Sequence, residues 1–203
     1  MQCNSKQFNL TTKALLAGVL CVTLATTGCT AQWISVALAV LPVLSLMALT
    51  ITTLVTTLRS GQQISAGEAA AIQNISMQAG NDLNLLQALY NQYKAAPNGD
   101  TLQKIQNTIA EINLNLPALL AAAHITDPVL AARVTAAVNL VLTTVQSFAA
   151  LIPATTAGTS RPVAAQKLAI PSAGDLKKQW NLQVCAPTGN LAMDSALKQC
   201  ALQ

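Results

Sequence analysis

Apolar residues recur at three- and four-residue steps in four stretches of the chain, which is the spacing that places side chains on one face of an α-helix. Four such segments joined by short loops predict an all-α, antiparallel four-helix bundle over residues 29–152. Strand signals, such as sustained alternation, are absent from the sequence. The four stripes are Val40, Leu44, Met47, Ile51, Leu54, Val55 and Leu58; Ile72, Ile75, Ala79, Leu83, Leu86, Tyr90 and Tyr93; Leu102, Ile105, Ile109, Ile112, Leu116, Leu119 and Ala123; and Leu130, Val134, Val138, Val141, Val145, Phe148 and Ile152.

Start signals precede three of these stripes. Ser65 and Glu68 have the spacing of a capping box, in which each side chain satisfies a free backbone N–H. Asp100 is placed to cap the third helix, and the run Thr126-Asp127-Pro128 supplies a cap and a first-turn proline for the fourth. Pro117 predicts a kink or a division in the third helix.

The remainder of the chain after the fourth stripe has a different composition. Residues 153–172 are rich in Pro, Ala, Thr, Ser and Gly, which predicts a flexible linker. Residues 173–203 contain two short helical segments, around Trp180 and Leu197. We therefore expect a small helical C-terminal segment appended to the bundle.

The amino terminus has the three-part layout of an export signal. Lys6 and Lys13 precede an apolar run over residues 14–25, and small residues follow immediately before Cys29. The run is too short for a helix to span the roughly 30 Å hydrocarbon core of a membrane comfortably. Residues 1–28 are therefore predicted to be a signal peptide.

Gly28 and Cys29, with the small Thr27 before them, resemble the lipobox of the bacterial lipoprotein class. The resemblance covers about the first thirty residues, and Thr26 departs from it because that class prefers Leu there. It implies that Cys29 is acylated, as with palmitate, and becomes the new amino terminus. Thr30, in place of Asp, implies an outer-membrane location facing the periplasm.

Two other locations remain open at this stage. An ordinary signal cut after Ala31 would leave a soluble periplasmic protein. Residues 33–58 carry no charge, and their length meets the criterion for a transmembrane helix, which would make the protein integral to the membrane. Pro42, seven Ser or Thr residues and the stripe of the first helix favour a place in the bundle core instead.

The five cysteines divide by position. Cys3 and Cys21 lie in the predicted signal peptide and Cys29 is the predicted lipid site, which leaves Cys185 and Cys200. An even pair in an oxidising compartment predicts a disulfide. Closing a loop of about 15 residues contributes roughly 3 kcal/mol on the chain-entropy description.

Composition and chemistry exclude several classes of function. Charged residues are 9% of the chain, against roughly 25% in an average soluble protein, and no basic cluster suits nucleic acid. His124 and Asp127 alone resemble part of a catalytic set, and no nucleophile turn accompanies them. His124 is better explained by a helix carboxyl terminus, where a cation is favourable. Neither a metal-ligand cluster nor a phosphate loop is visible, so we expect no cofactor and no small-molecule substrate.

The sequence therefore predicts a non-enzymatic cell-envelope lipoprotein with a structural, adaptor or assembly role. Its expected partners are the membrane, through the lipid anchor, and another protein or a second copy of the chain. The alternative is a membrane-spanning or membrane-active helical protein that uses residues 33–58. An envelope hydrolase that uses His124 is the weakest hypothesis.

Overall fold

The computed structural model describes residues 8–61, 64–152 and 170–203, and residues 8–32 only as helical backbone. Within these ranges the protein is all-α, as predicted, and contains no strand. Six helices follow one another: α1 (Phe8–Ser60), α2 (Ala66–Ala95), α3 (Gly99–Ala122), α4 (Pro128–Ala149), α5 (Ala173–Gln183) and α6 (Leu191–Gln199).

The four long helices form the bundle. Each packs on the next, and α4 returns to α1. The predicted stripes of α1 and α2 are buried in full, and so are those of α3 and α4 except at their last positions, Leu119, Ala123 and Ile152. These three are half-buried and still touch the core. Helical periodicity therefore identified the core correctly, because burying an apolar stripe is what drives the helices together.

Most of the predicted helix starts are confirmed. Ser65 and Glu68 form the capping box of α2, and Asp127 caps α4 with Pro128 in the first turn. The predicted cap of α3 is wrong: Asn98, in extended conformation, accepts from the backbone N–H of Thr101 at 2.8 Å. Asp100 lies in the first turn instead, where a carboxylate interacts favourably with the helix dipole.

Neither internal proline divides its helix. Pro117 lies inside α3 and Pro42 inside α1, and both side chains are exposed. A proline removes one hydrogen bond of the helix, and on a solvent-facing side water satisfies the carbonyl that is left. The expectation that Pro117 would divide the third helix, and the use of Pro42 as an interruption of the first, are therefore not supported.

The C-terminal segment belongs to the bundle core. Helix α5 packs against both α1 and α4, and α6 packs against α1. Trp180, in α5, is completely buried and Leu197, in α6, is 1% exposed. Ile170, inside the predicted linker, also touches the core. Helix α5 thus lies over the seam between α1 and α4, which we call the α1–α4 seam, and α6 lies against α1.

Two other predicted boundaries lie largely outside the described residues. Residues 153–169 of the predicted linker are not described, nor are residues 1–7 of the predicted signal peptide. The predicted signal-peptide boundary before Cys29 coincides with no helix end, because α1 continues through it.

Two of the described helices are long and apolar enough to cross a membrane. They are residues Trp33–Ser60, with mean hydropathy 2.4, and Pro128–Ala149, with mean hydropathy 1.6. Half of each window is buried inside the protein. A core helix of a soluble bundle has the same length and composition, so this is weak evidence for membrane association.

Candidate functional site: the α1–α2 groove and the cysteine pair

The two residues that the sequence offered for catalysis lie in the connection between α3 and α4, where Asp127 is the N-cap of α4. His124 is exposed in the connection between α3 and α4. The Asp127 side chain accepts hydrogen bonds from the N–H groups of Val129 and Leu130, at 2.8 and 2.9 Å, and so acts as a helix cap. Among the described residues, no group of three His, Cys, Asp or Glu could hold a metal ion.

A surface groove of about 470 Å³ runs between α1 and α2, and we call it the α1–α2 groove. Leu46 and Leu49 of α1 and Met77 of α2 border it, and they are 43%, 64% and 60% exposed. Gly80 contributes no side chain, and a Cβ placed there would meet nothing within 4 Å. The groove is therefore an apolar-edged depression, kept open at Gly80.

Polar side chains without charge share this face. Ser45 donates a hydrogen bond to Asn84 Oδ1 across the groove at 3.4 Å, and Thr52 and Ser76 are 2.7 Å apart between their hydroxyls. Ser76 also donates to the Ala48 carbonyl. Small and hydroxyl-bearing residues therefore join α1 to α2 closely along the groove.

None of the side chains that line the α1–α2 groove is charged. On α1 the described side chains carry their first charge at Arg59, at the carboxyl end of the helix. On α2, Glu68 and Lys94 stand at the two ends. Asp82 lies between them and is half-buried, and burial together with the nearby Glu111 of α3 raises its pKa. A partner on this face would meet hydroxyls, amides and apolar groups.

Glu68 joins the start of α2 to the connection between α3 and α4. Its carboxylate accepts from the N–H and hydroxyl of Ser65, at 3.0 and 2.7 Å, and from the N–H and hydroxyl of Thr126, at 2.7 and 2.6 Å. These four bonds, with Thr126 contributing most, lower the pKa of Glu68 to about 2. The capping box predicted from sequence thus also fastens the α3–α4 connection to the start of α2.

The predicted disulfide partners lie side by side. The Sγ atoms of Cys185 and Cys200 are 2.7 Å apart. Cys185 is half-buried, whereas Cys200 is 1% exposed. The geometry brings the two sulfurs together as the disulfide requires, and the bond itself remains a prediction.

Hydrogen bonds hold the backbone on both sides of this cysteine pair. The Arg133 guanidinium of α4 donates to the carbonyls of Gln183 and Ala186, at 2.7 and 3.0 Å. The indole N–H of Trp180 donates to the Cys200 carbonyl at 2.8 Å. These bonds fix both cysteines to the bundle, which sequence periodicity cannot reveal because all the acceptors are main-chain atoms.

A further cleft of about 280 Å³ opens beside Cys185. Pro187, Leu191 and Ser195 line it, together with Asp194 and Lys198 of α6. The Asp194 carboxylate already accepts hydrogen bonds from the N–H and the hydroxyl of Thr188, at 2.6 and 2.8 Å.

The described residues form an all-α helical bundle in which α5 lies over the α1–α4 seam and α6 packs against α1. No protein-family model, curated protein or solved structure matches the chain.

Proposed function

We propose that this protein is a non-enzymatic lipoprotein of the bacterial cell envelope that is exported, anchored through Cys29 at the outer membrane and exposed to the periplasm. Its helical bundle has a structural role: it assembles with other copies of itself through the α1–α2 groove. The single observation that supports this role most strongly is the uncharged, apolar-edged α1–α2 groove. The lipobox-like residues before Cys29 support the anchor.

The chemistry of the α1–α2 groove favours protein over lipid as its occupant. Asn81 and Asn84 line it, and an amide placed in hydrocarbon loses its hydrogen bonds to water without compensation. A helix with hydroxyl and amide groups would replace those bonds, while Leu46 and Leu49 would bury apolar surface against it.

A second copy of the chain is the occupant that meets these requirements. Because no side chain that lines the groove is charged, two copies can meet through it without desolvating an unpaired charge. Hydroxyls and amides both donate and accept, which suits the self-complementary interface of a twofold dimer. A twofold axis along the helices would leave both amino-terminal ends on the same side. Anchoring in one membrane would then raise the effective concentration of the partners.

The lipid anchor is tested by labelling cells with a palmitate analogue. We expect label on the wild-type protein, and we expect Cys29→Ala to abolish it and to release the protein into the soluble fraction. Cys21→Ala is the matched control, because it removes another cysteine of the amino-terminal region and should leave the label in place. Labelling that survives Cys29→Ala would contradict the anchor.

Self-association is tested with a lysine placed in the α1–α2 groove. We expect Leu49→Lys to raise the dimer dissociation constant at least about tenfold, or about 1.4 kcal/mol, because docking would bury an unpaired charge. Leu114→Lys is the matched control, since Leu114 of α3 is 71% exposed and lies outside the groove. Light scattering over a concentration series measures the dimer dissociation constant of the wild type and of both variants. A wild-type protein that is monomeric throughout, or equal weakening by both variants, would contradict the dimer.

A membrane-spanning role for residues 33–58 is the second candidate. The observation that favours it is the mean hydropathy of 2.4 over Trp33–Ser60, where Arg59 at the carboxyl end is the one charged residue. The two proposals differ in what surrounds the α1 stripe, which includes Leu44 and Leu54. In the membrane-spanning role the stripe would contact lipid, whereas in the lipoprotein role it contacts the other helices of the bundle.

A further inference from the structure

We propose that Cys185 and Cys200 form a thiol–disulfide exchange site, in which Cys185 is the entering thiol and Cys200 resolves the mixed disulfide. The substrate class is an unhindered disulfide, either small or carried on an exposed peptide, that enters the cleft beside Cys185. This inference goes beyond the anchoring role and holds whether or not Cys29 carries lipid.

The two sulfurs differ in access. Cys185 is half-buried and borders a cleft of about 280 Å³, which is close to the lower end of the range for small-molecule sites. Cys200 is 1% exposed, and its Sγ lies 3.0 Å from the Leu197 carbonyl, on the protein side of the pair. An incoming disulfide can therefore reach Cys185 and cannot reach Cys200 directly.

The surroundings also separate the two thiols chemically. The hydrogen bond with Cys200 lowers the pKa of Cys185, and the Arg133 guanidinium acts in the same direction. The same hydrogen bond, together with burial, raises the pKa of Cys200. Since the thiolate is the attacking species, the accessible cysteine is also the one that ionises first.

The exchange balances without any further reactant. The Cys185 thiolate attacks one sulfur of the substrate disulfide, whose S–S bond breaks, and the first substrate thiolate leaves and takes a proton. Cys200 then loses its proton and attacks Cys185 Sγ, which forms the intramolecular disulfide and releases the second substrate thiol. The protein dithiol is oxidised by two electrons and the substrate disulfide is reduced to two thiols.

The second step requires no movement of the backbone. The sulfurs are already 2.7 Å apart, and Arg133 holds the carbonyls of Gln183 and Ala186 on either side of Cys185. Trp180 holds the carbonyl of Cys200. A mixed disulfide on Cys185 is therefore presented directly to its resolving partner.

The test uses the full protein, reduced and freed of reductant, with oxidised glutathione as the probe. Peptide mapping by mass spectrometry identifies the modified residue, so that the other cysteines do not interfere. We expect the wild type to end as the Cys185–Cys200 disulfide and Cys200→Ser to accumulate a stable glutathione adduct on Cys185. In Cys185→Ser, Cys200 should react at least about ten times more slowly than Cys185 does in Cys200→Ser.

Circular dichroism melting of both serine variants is the folding control: where each melts cooperatively, as we expect, a slow reaction reports access and not loss of structure. Equal rates for the two cysteines in folded variants would overturn the proposal. A wild-type protein that keeps glutathione on Cys185 without resolving it would overturn it as well, and so would a folded Cys200→Ser variant that gains no adduct.

Discussion

Trp180→Ala is expected to lower the free energy of unfolding of the whole bundle by about 3–5 kcal/mol, the cost typical of truncating a buried Trp. Trp180 is completely buried where α5 meets α1 and α4, and a void of about 20 Å³ already lies beside it. Removing the indole would enlarge that space and leave the Cys200 carbonyl without its donor. Chemical denaturation followed by circular dichroism measures the change.

Leu182→Ala is the matched control for this prediction. Leu182 lies on the same helix and is 75% exposed, so its truncation should change stability by no more than about 0.5 kcal/mol. If Trp180→Ala left the main unfolding transition where it is in the wild type, the C-terminal helices would be an independent appendage and not part of the core.

Leu54→Ala is expected to cost about 2–5 kcal/mol of unfolding free energy, because Leu54 of α1 is 2% exposed and packs inside the bundle. Leu114→Ala is the matched control, since Leu114 of α3 is 71% exposed and lies outside the α1–α2 groove. It should change stability by about 0.5 kcal/mol or less. Thermal and denaturant unfolding in the absence of detergent measure both variants.

This pair of variants also separates the two candidate functions. If α1 faces lipid, Leu54→Ala and Leu114→Ala should have similarly small effects, and the protein should be insoluble unless detergent is added, because a long uncharged helix would face water. A soluble protein with a cooperative transition and a large difference between the two variants would contradict the membrane-spanning function.

Periodicity predicted the four long helices and their buried positions because each stripe obeys one local rule, the spacing of apolar residues along a helix. The sequence-based predictions failed where a local pattern is compatible with more than one structure. Asn98 and Asp100 can both cap a helix, and only the backbone conformation selects Asn98. Pro117 is compatible with an intact helix because its side chain is exposed to solvent. The sequence alone does not reveal which way that side chain points.

The surfaces were harder to predict than the core. Leu46, Leu49 and Met77 lie off the stripes at helical spacing, which was a signal for an exposed apolar edge, but only the packing of α1 on α2 turns it into a groove. The cysteine pairing followed from elimination, whereas the different exposure of Cys185 and Cys200 depends on where α6 docks. Arg133 holds the segment around Cys185 through hydrogen bonds to main-chain carbonyls. Every residue has such a carbonyl, so no pattern of residue types predicts these bonds.

The placement of the two tryptophans gives the protein a pair of built-in optical reporters. The Trp33 ring lies 5.6 Å from that of Tyr90 and 6.1 Å from that of Tyr93, so light absorbed by these tyrosines passes to Trp33 by energy transfer. Trp180 lies in an aliphatic setting at the α1–α4 seam, among side chains such as Met47 and Val138. Tyrosine-excited emission is therefore weighted toward the region around Trp33, whereas direct excitation reports on both tryptophans, so comparing the two excitations in one unlabelled sample shows whether that region and the α1–α4 seam unfold together.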